Sequence, residues 1–162
     1  MNTKMFDIFV SELLDKTKQN SVNALERVYT KSKMLSADVN AALDPLYSSP
    51  YEKSNAAYIG EGAGLNKYTG ARGKAQGSDA NAEFVAEIRN IFEQNNIQYN
   101  VSEIGKVDVG GGGTIAYILA NKGIDVIDCG VAVLSMHAPY EVTSKYDIYT
   151  TYRAYKAFYS WG

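Results

Sequence analysis

The sequence is poor in the residues that most often form disulfides and metal clusters. It contains one cysteine, Cys129, and one histidine, His137, among 162 residues. A single cysteine excludes an internal disulfide and any zinc site rich in cysteine. No uninterrupted apolar run reaches the roughly 20 residues that span a bilayer, and no charged-then-apolar leader precedes the first helical pattern. We therefore expect a cytoplasmic protein without a membrane segment.

The chain also has no large excess of positive or negative charge. The formal net charge is -2, and the basic residues are scattered rather than clustered. A nucleic acid or an anionic membrane surface would require a basic patch, so neither partner is indicated. The hydrophobic content of 46% in 162 residues is typical of one globular domain with a sizeable core.

The first half of the chain carries helical spacing followed by a short strand. Apolar residues recur at helical intervals over 6–14 and 22–29, and Ser21 is a suitable cap for the second helix. Residues 34–37 are predicted to form a strand that ends at Asp38. The Asp38 carboxylate either caps a turn or a short helix after it, or faces the crevice at the carboxyl end of the strand.

The second half predicts strands and helices in alternation. Glycine-rich residues 58–77 favour short strands with tight turns. A long helix is expected from a cap at Ser78 or Asp79 to about Asn95. The further elements predicted are strands at 97–101, 105–109 and 124–128 and a helix at 114–122 closed by Gly123.

The four glycines at 110–113 lead into a predicted helix and invite a nucleotide-binding hypothesis, because helix N-termini attract phosphate. A dinucleotide fingerprint would need glycine or alanine at Ile115, and a phosphate loop would need lysine at Thr114. Neither motif is present. The glycines indicate either backbone that is open to a small ligand, such as a peptide carbonyl, or a close packing contact.

His137 stands where an apolar run over 131–134 stops. Pro139 favours a helix that starts there and continues to about Ser160. A histidine at the end of a strand can present its ring to a metal or a substrate, but a lone histidine also serves as a packing or capping residue. The tyrosines of the predicted helix indicate core or subunit contacts.

Four motifs together resemble the aspartyl aminopeptidase and aminopeptidase I family of dinuclear zinc exopeptidases. They occur in one order across nearly the whole chain, at 35–45 (LSADVNAALDP), 67–74 (KYTGARGK), 108–116 (DVGGGGTIA) and 128–141 (DCGVAVLSMHAPYE). The resemblance implies an α/β fold in which a mixed β-sheet is sandwiched by helices, zinc-exopeptidase-like but incomplete.

The same resemblance implies a metal site and a substrate site. Asp38 resembles a carboxylate ligand of one metal ion, and His137 resembles the imidazole ligand of the other. Two zinc ions would occupy a complete site, with cobalt or manganese possible in the same geometry. Lys67, Gly111 and Gly112 resemble segments that contact the peptide substrate, and a lysine would suit an acidic N-terminal residue.

The chain departs from the family pattern in what it lacks. Family members carry a His-x-Asp motif, a bridging aspartate and a Glu-Glu pair with the general base, and none of these is present in this sequence. We therefore predict that residues 1–162 form the C-terminal portion of a metalloaminopeptidase catalytic domain and are inactive alone. An exposed sheet edge would need a partner, either the missing N-terminal half or other copies in a homo-oligomer. The alternative is a non-catalytic oligomer scaffold derived from a peptidase.

Overall fold

A computed structural model describes residues 3–71, 75–103, 105–106, 109 and 112–161. Two helices come first in the described chain, a run of strands follows, and helices and strands alternate only in the second half. In chain order the elements are α1 (Met5–Lys16), α2 (Ala24–Tyr29), β1 (Lys33–Ser36), β2 (Asn40–Ala41), β3 (Ala63–Asn66), β4 (Tyr68–Ala71), β5 (Ala75–Asp79), α3 (Ala82–Gln94), β6 (Tyr99–Val101), α4 (Ala116–Ala120), β7 (Asp125–Leu134), β8 (Val142–Thr143) and α5 (Lys145–Tyr159).

Strand β7 is the centre of a mixed sheet. It pairs in parallel with β1 and β2, and antiparallel with β3 and β8, while β6 lies parallel to β3 on the far side. The strand order is β1-β7-β3-β6. Most of β7 is buried, as expected for a central strand that reads as a nearly continuous apolar run. Strands β4 and β5 form a separate antiparallel ribbon.

Helices cover both faces of the sheet, as predicted. On one face, α3 and α5 pack against Leu65, Ile127 and Cys129. The apolar stripe of α3 follows helical spacing and is fully buried: Phe84, Ile88, Ile91 and Phe92. On the other face α1, α2 and α4 pack around Val126, because neighbouring residues of a strand point to opposite faces.

Two predicted helix caps are wrong. Helix α3 begins at Ala82, where the Asn81 side chain accepts a hydrogen bond from Phe84 N at 2.7 Å. Ser78 and Asp79 lie instead in β5, because the ribbon pairs them with Thr69 and Tyr68. Ser21 does not cap α2 either, since Asn23 occupies the N-cap position.

The predicted start of the last helix is also wrong. Helix α5 begins at Lys145 rather than Pro139, and Ser144 accepts its capping hydrogen bond from Tyr146 N. Strand β7 extends far enough to offer a pairing edge at Val133 and Leu134, and residues 142–143 pair with that edge as β8.

The short helix considered after Asp38 is also absent from the described residues. Residues 40–41 pair with β7 as β2 instead.

The region around the glycine loop is only partly as predicted. Residues 107 and 108 lie outside the described residues, and 105, 106 and 109 are not in a strand. Helix α4 is shorter than its predicted 114–122 span, but Gly123 follows it with a φ of 84°, the left-handed geometry expected of a helix-closing glycine.

The sheet has an open edge at β1. Within the described ranges β1 pairs with β7 alone. A groove lies beside it, lined by Met34 and Leu35 from β1 and by Tyr155 and Phe158 from α5. No helix of the described chain is long and apolar enough to cross a bilayer.

Candidate metal and substrate site

Asp38 lies where the chain passes from β1 to β2 along the same edge of β7. Ser36 stands opposite Asp128, and Asn40 stands opposite Ala132. Between them the Asp38 backbone approaches β7 so closely that a Cβ on Gly130 would lie 1.5 Å from the Asp38 carbonyl oxygen. Only glycine fits at that position, so the absence of a side chain in β7 determines where Asp38 lies.

Local hydrogen bonds also hold Asp38. Its N–H donates to Ser36 O at 3.0 Å, and its Oδ1 accepts from Val39 N at 2.9 Å. The side chain is half-buried. The carboxylate is therefore oriented by its own turn and does not depend on a distant partner.

His137 lies on a turn that follows the end of β7. Ser135 and His137 both have left-handed backbones, with φ of 56° and 67°. Ala138 N donates to Ser135 O at 2.9 Å, and His137 N donates to Glu141 Oε1 at 2.6 Å. Such backbones are uncommon for residues other than glycine and cluster at functional sites. The turn leaves the His137 side chain exposed to solvent.

The two predicted ligands lie at the same end of the sheet but at different levels along it. Strands β1 and β7 are parallel, so Asp38 and His137 both follow carboxyl ends. Strand β7 continues four residues beyond Gly130, to Leu134, before the turn that carries His137.

The donor set fits zinc in kind but not in number. A carboxylate oxygen and an imidazole nitrogen are common zinc ligands, and catalytic zinc sites use three protein ligands. Among the described side chains, no group of three or more His, Cys, Asp or Glu residues could hold a metal ion. Asp38 and His137 can therefore contribute only part of a centre.

The predicted substrate residues have different surroundings. Lys67 is exposed between β3 and β4, and its ammonium forms a salt bridge with Asp79 of β5. Exposed pairs of this kind are weak, so an acidic ligand could compete with Asp79. Gly112 is half-buried in the loop before α4, whereas Gly111 lies outside the described residues.

Asp128 is a polar residue of this region that the sequence reasoning missed. It lies in the middle of β7 and is only 4% exposed. Thr114 Oγ1 donates to its Oδ2 at 2.7 Å. Burial raises the pKa of the Asp128 carboxyl, and the hydrogen bond from Thr114 opposes that rise by favouring the charged form. Its signal in the sequence was a carboxylate within an apolar strand.

A second buried polar group, close in the chain to Asp38, joins β2, β3 and the residue that follows β6. Asn40 Nδ2 donates to Asn66 Oδ1 at 2.9 Å and to Ser102 Oγ at 2.7 Å, and Ser102 donates to Asn66 at 3.0 Å. A Cβ on Gly64 would lie 2.8 Å from Asn40 Nδ2, so this glycine makes room for the group. No local pattern in the sequence indicated the cluster, since its members are far apart along the chain.

Comparison with known proteins places this fold among metallopeptidases. The crystal structure of an M18-family aminopeptidase from Thermotoga maritima superposes with a TM-score of 0.90 and 41% identity, over 95% of this chain and 34% of that one. The sequence profile described as "Aminopeptidase I zinc metalloprotease (M18)" matches residues 2–159. This chain belongs to the aminopeptidase I (M18) family of zinc metalloproteases, which confirms the resemblance drawn from its four motifs.

The match covers only a part of the longer relatives. A "Probable M18 family aminopeptidase 1" from Clostridium acetobutylicum is 49% identical over 158 residues, which are 98% of this chain and 34% of that protein. The yeast mApe1 dodecamer is 24% identical with a TM-score of 0.66, over 93% of this chain and 33% of that one. The chain thus spans about a third of the length of the curated relatives it matches.

Proposed function

We propose that this chain supplies part of the metal and substrate site of a zinc-dependent aminopeptidase, an enzyme that removes N-terminal residues from peptides. The observation that carries the proposal is the pair of zinc-type donors, Asp38 and His137, at one end of the sheet of an M18-family fold. Asp38 would bind one metal ion and His137 a second. Zinc is the family's metal, and cobalt or manganese would suit the same donors.

The substrate would be a peptide with an acidic or neutral N-terminal residue. The Lys67 ammonium would release its exposed partner Asp79 and bind a carboxylate of the substrate instead. Gly111 and Gly112 would offer backbone N–H and C=O groups to the peptide, since glycine allows close approach. At a complete site, the chemistry supplied by bound zinc is polarisation of the scissile carbonyl and activation of a water molecule.

The chain alone would be inactive, because two ligands without a third and without a general base do not make a hydrolytic centre. The remaining groups would come from the part of an M18 polypeptide that this chain does not span. The open edge of β1 and its apolar groove would receive that polypeptide. A cytoplasmic location belongs to the same proposal, and Cys129 is a free, buried thiol.

The test compares the purified chain with a mixture of the chain and a polypeptide that covers the rest of the Clostridium acetobutylicum relative. Aspartyl and leucyl p-nitroanilides serve as substrates, with added zinc. We expect no release by the chain alone and chelator-sensitive release by the mixture. Chelator-sensitive release by the purified chain alone would contradict the proposal.

Matched variants assign the ligands within the mixture. Asp38→Asn and His137→Gln should each lower activity at least roughly a hundredfold, since even residues that only support a ligand cost 10–100-fold. Asp44→Asn is the control, because Asp44 is a loop carboxylate whose Oδ1 accepts from Leu46 N and would still do so as asparagine. Equal activity in all three variants would exclude Asp38 and His137 as ligands.

An oligomer scaffold without catalysis is the second candidate. Helix α1 favours it, because its outer face exposes Met5, Ile8, Phe9 and Leu13 at helical spacing. Sedimentation of the purified chain distinguishes the two candidates. Stable self-assembly without metal, together with no activity in the mixture, would favour the scaffold, whereas metal-dependent activity in the mixture would favour the enzyme.

A further inference from the structure

Asp128 stands between the three segments to which the proposed function assigns ligand and substrate contacts. In β7 it lies opposite Ser36 of β1 on one side and opposite Asn66 of β3 on the other. Ser36 comes two residues before Asp38 in the chain. The central carboxylate is thus adjacent to the strand end that carries the proposed metal ligand.

A hydrogen-bonded link joins Asp128 to the other two segments. Thr114 Oγ1 donates to Asp128 Oδ2 at 2.7 Å and lies 3.3 Å from Thr69 Oγ1. Thr114 Oγ1 also accepts a hydrogen bond from Ala116 N at 3.3 Å. Thr114 follows Gly112 by two residues, and Thr69 follows Lys67 by two. One hydroxyl therefore connects the glycine segment, the β4–β5 ribbon and the central strand.

Stability alone does not explain a carboxylate at this position. Burying a carboxylate costs free energy unless it is fully paired, and apolar residues fill the neighbouring positions of β7. Asp128 Oδ1 and Ser36 Oγ are both buried without a hydrogen-bond partner among the described residues. The fold thus retains a costly group, and Thr114, the residue after the glycine run 110–113, donates a hydrogen bond to it.

We infer that Asp128 is a positioning residue which, through Thr114, holds residues 112–114 at a fixed place relative to the end of β1 and Asp38. The inference rests on the proposed function, because it assigns the purpose of the link to substrate alignment. Asp128 itself need not touch the substrate. Its effect is to keep the glycine backbone in register with the proposed metal ligand.

Hydrogen exchange of the 162-residue chain tests the link without requiring activity. Thr114→Val removes the hydroxyl at nearly constant volume, and Thr114→Ser keeps it. Thr151→Val is the matched control, since Thr151 is also buried but its hydroxyl has no hydrogen-bond partner within the described chain. Thr114→Val should speed hydrogen exchange at the amides of residues 113–115 roughly tenfold, the effect of losing one hydrogen bond to a charged group.

The same variants are then assayed in the reconstituted mixture. Thr114→Val should lower kcat/KM at least roughly tenfold, because misplaced substrate contacts are costly to catalysis, while Thr114→Ser stays within about twofold of the wild type. Exchange in Thr114→Val that equals the wild type would overturn the inference, as would equal loss of kcat/KM in Thr151→Val. A wild-type mixture without activity would count against the proposed function, whereas the exchange result would still decide the positioning link.

Discussion

Asp38 and His137 are held at the end of one sheet in opposite ways. Asp38 lies between two strands, pressed against β7 where only glycine leaves room. His137 lies outside the sheet on an exposed turn with a left-handed backbone, held by the Glu141 carboxylate. The difference shows that packing in a folded core can fix the position of one proposed ligand, while a hydrogen-bonded surface turn holds the other.

The two modes predict different sensitivity to substitution. Interiors are close-packed, so an added atom next to Asp38 has nowhere to go. A solvent-exposed turn can relax, so changes around His137 should affect local geometry more than global stability. Three substitutions separate these modes, from the largest expected effect to the smallest, and an acid titration of a carboxylate outside the comparison follows them.

Gly130→Ala should destabilise the fold most. Its Cβ would meet the Asp38 carbonyl at 1.5 Å, and a backbone atom cannot rotate away. We expect a loss of about 3 kcal/mol or more in the free energy of unfolding, at the upper end of overpacking costs. Urea unfolding followed by circular dichroism measures it. Gly60→Ala is the control, with a φ of 94° and open space around it, and should cost about 1 kcal/mol. Equal losses would show that crowding does not fix Asp38.

Glu141→Ala should loosen the His137 turn. The carboxylate accepts a hydrogen bond from His137 N at 2.6 Å at an exposed site. We expect a loss of about 1 kcal/mol in the free energy of unfolding and faster hydrogen exchange at the His137 amide. Glu141→Gln keeps an acceptor and should lose less. If the alanine variant protects the His137 amide as well as the wild type does, Glu141 does not hold the turn.

His137→Gly should stabilise the chain slightly while it removes the imidazole. Glycine adopts the observed φ of 67° without the penalty of a side chain. The expected gain is about 0.5 kcal/mol in thermal or urea unfolding. Ser135→Gly relieves the same kind of strain, at a φ of 56°, and keeps the imidazole. A loss of stability in both variants would mean that these backbones are not strained.

Lowering the pH should have the smallest effect on stability, through Asp7 of α1. This residue lies away from Asp38 and His137, on the face of the sheet that α1, α2 and α4 cover. Lys122 and Tyr29 donate hydrogen bonds to the Asp7 carboxylate. Both hydrogen bonds lower the pKa of Asp7, and the one from Lys122 has the larger effect. A carboxyl whose folded pKa lies below its unfolded value contributes stability above the unfolded value, 3.8, and loses it as the pH falls through the folded pKa. The melting temperature of the wild type should therefore fall more between pH 7 and pH 3 than that of Asp7→Asn. An identical fall in both proteins would contradict this role of Asp7.

Several elements could be predicted from the sequence because their signals are local. The stripe of α3, the strand before Asp38, the apolar strand 124–128 and Gly123 after α4 all depend on spacing within one segment. The predicted caps at Ser78 and Asp79 failed because these residues pair across the β4–β5 ribbon. The start of α5 failed because β7 has an edge that residues 142–143 can fill. Both errors come from pairing partners that a local pattern does not contain.

By itself the sequence determined the α/β class, the M18 family and the two candidate ligands, because these depend on periodicity and on motifs that are contiguous in the chain. The tertiary structure alone decided why Gly130 must be glycine, which residue Asp128 binds, and that His137 stands on a strained turn. Those facts depend on distances between residues that are far apart in the chain and on backbone angles that follow from the complete fold. A side chain's neighbours across a sheet are set by strand pairing, which no single segment encodes.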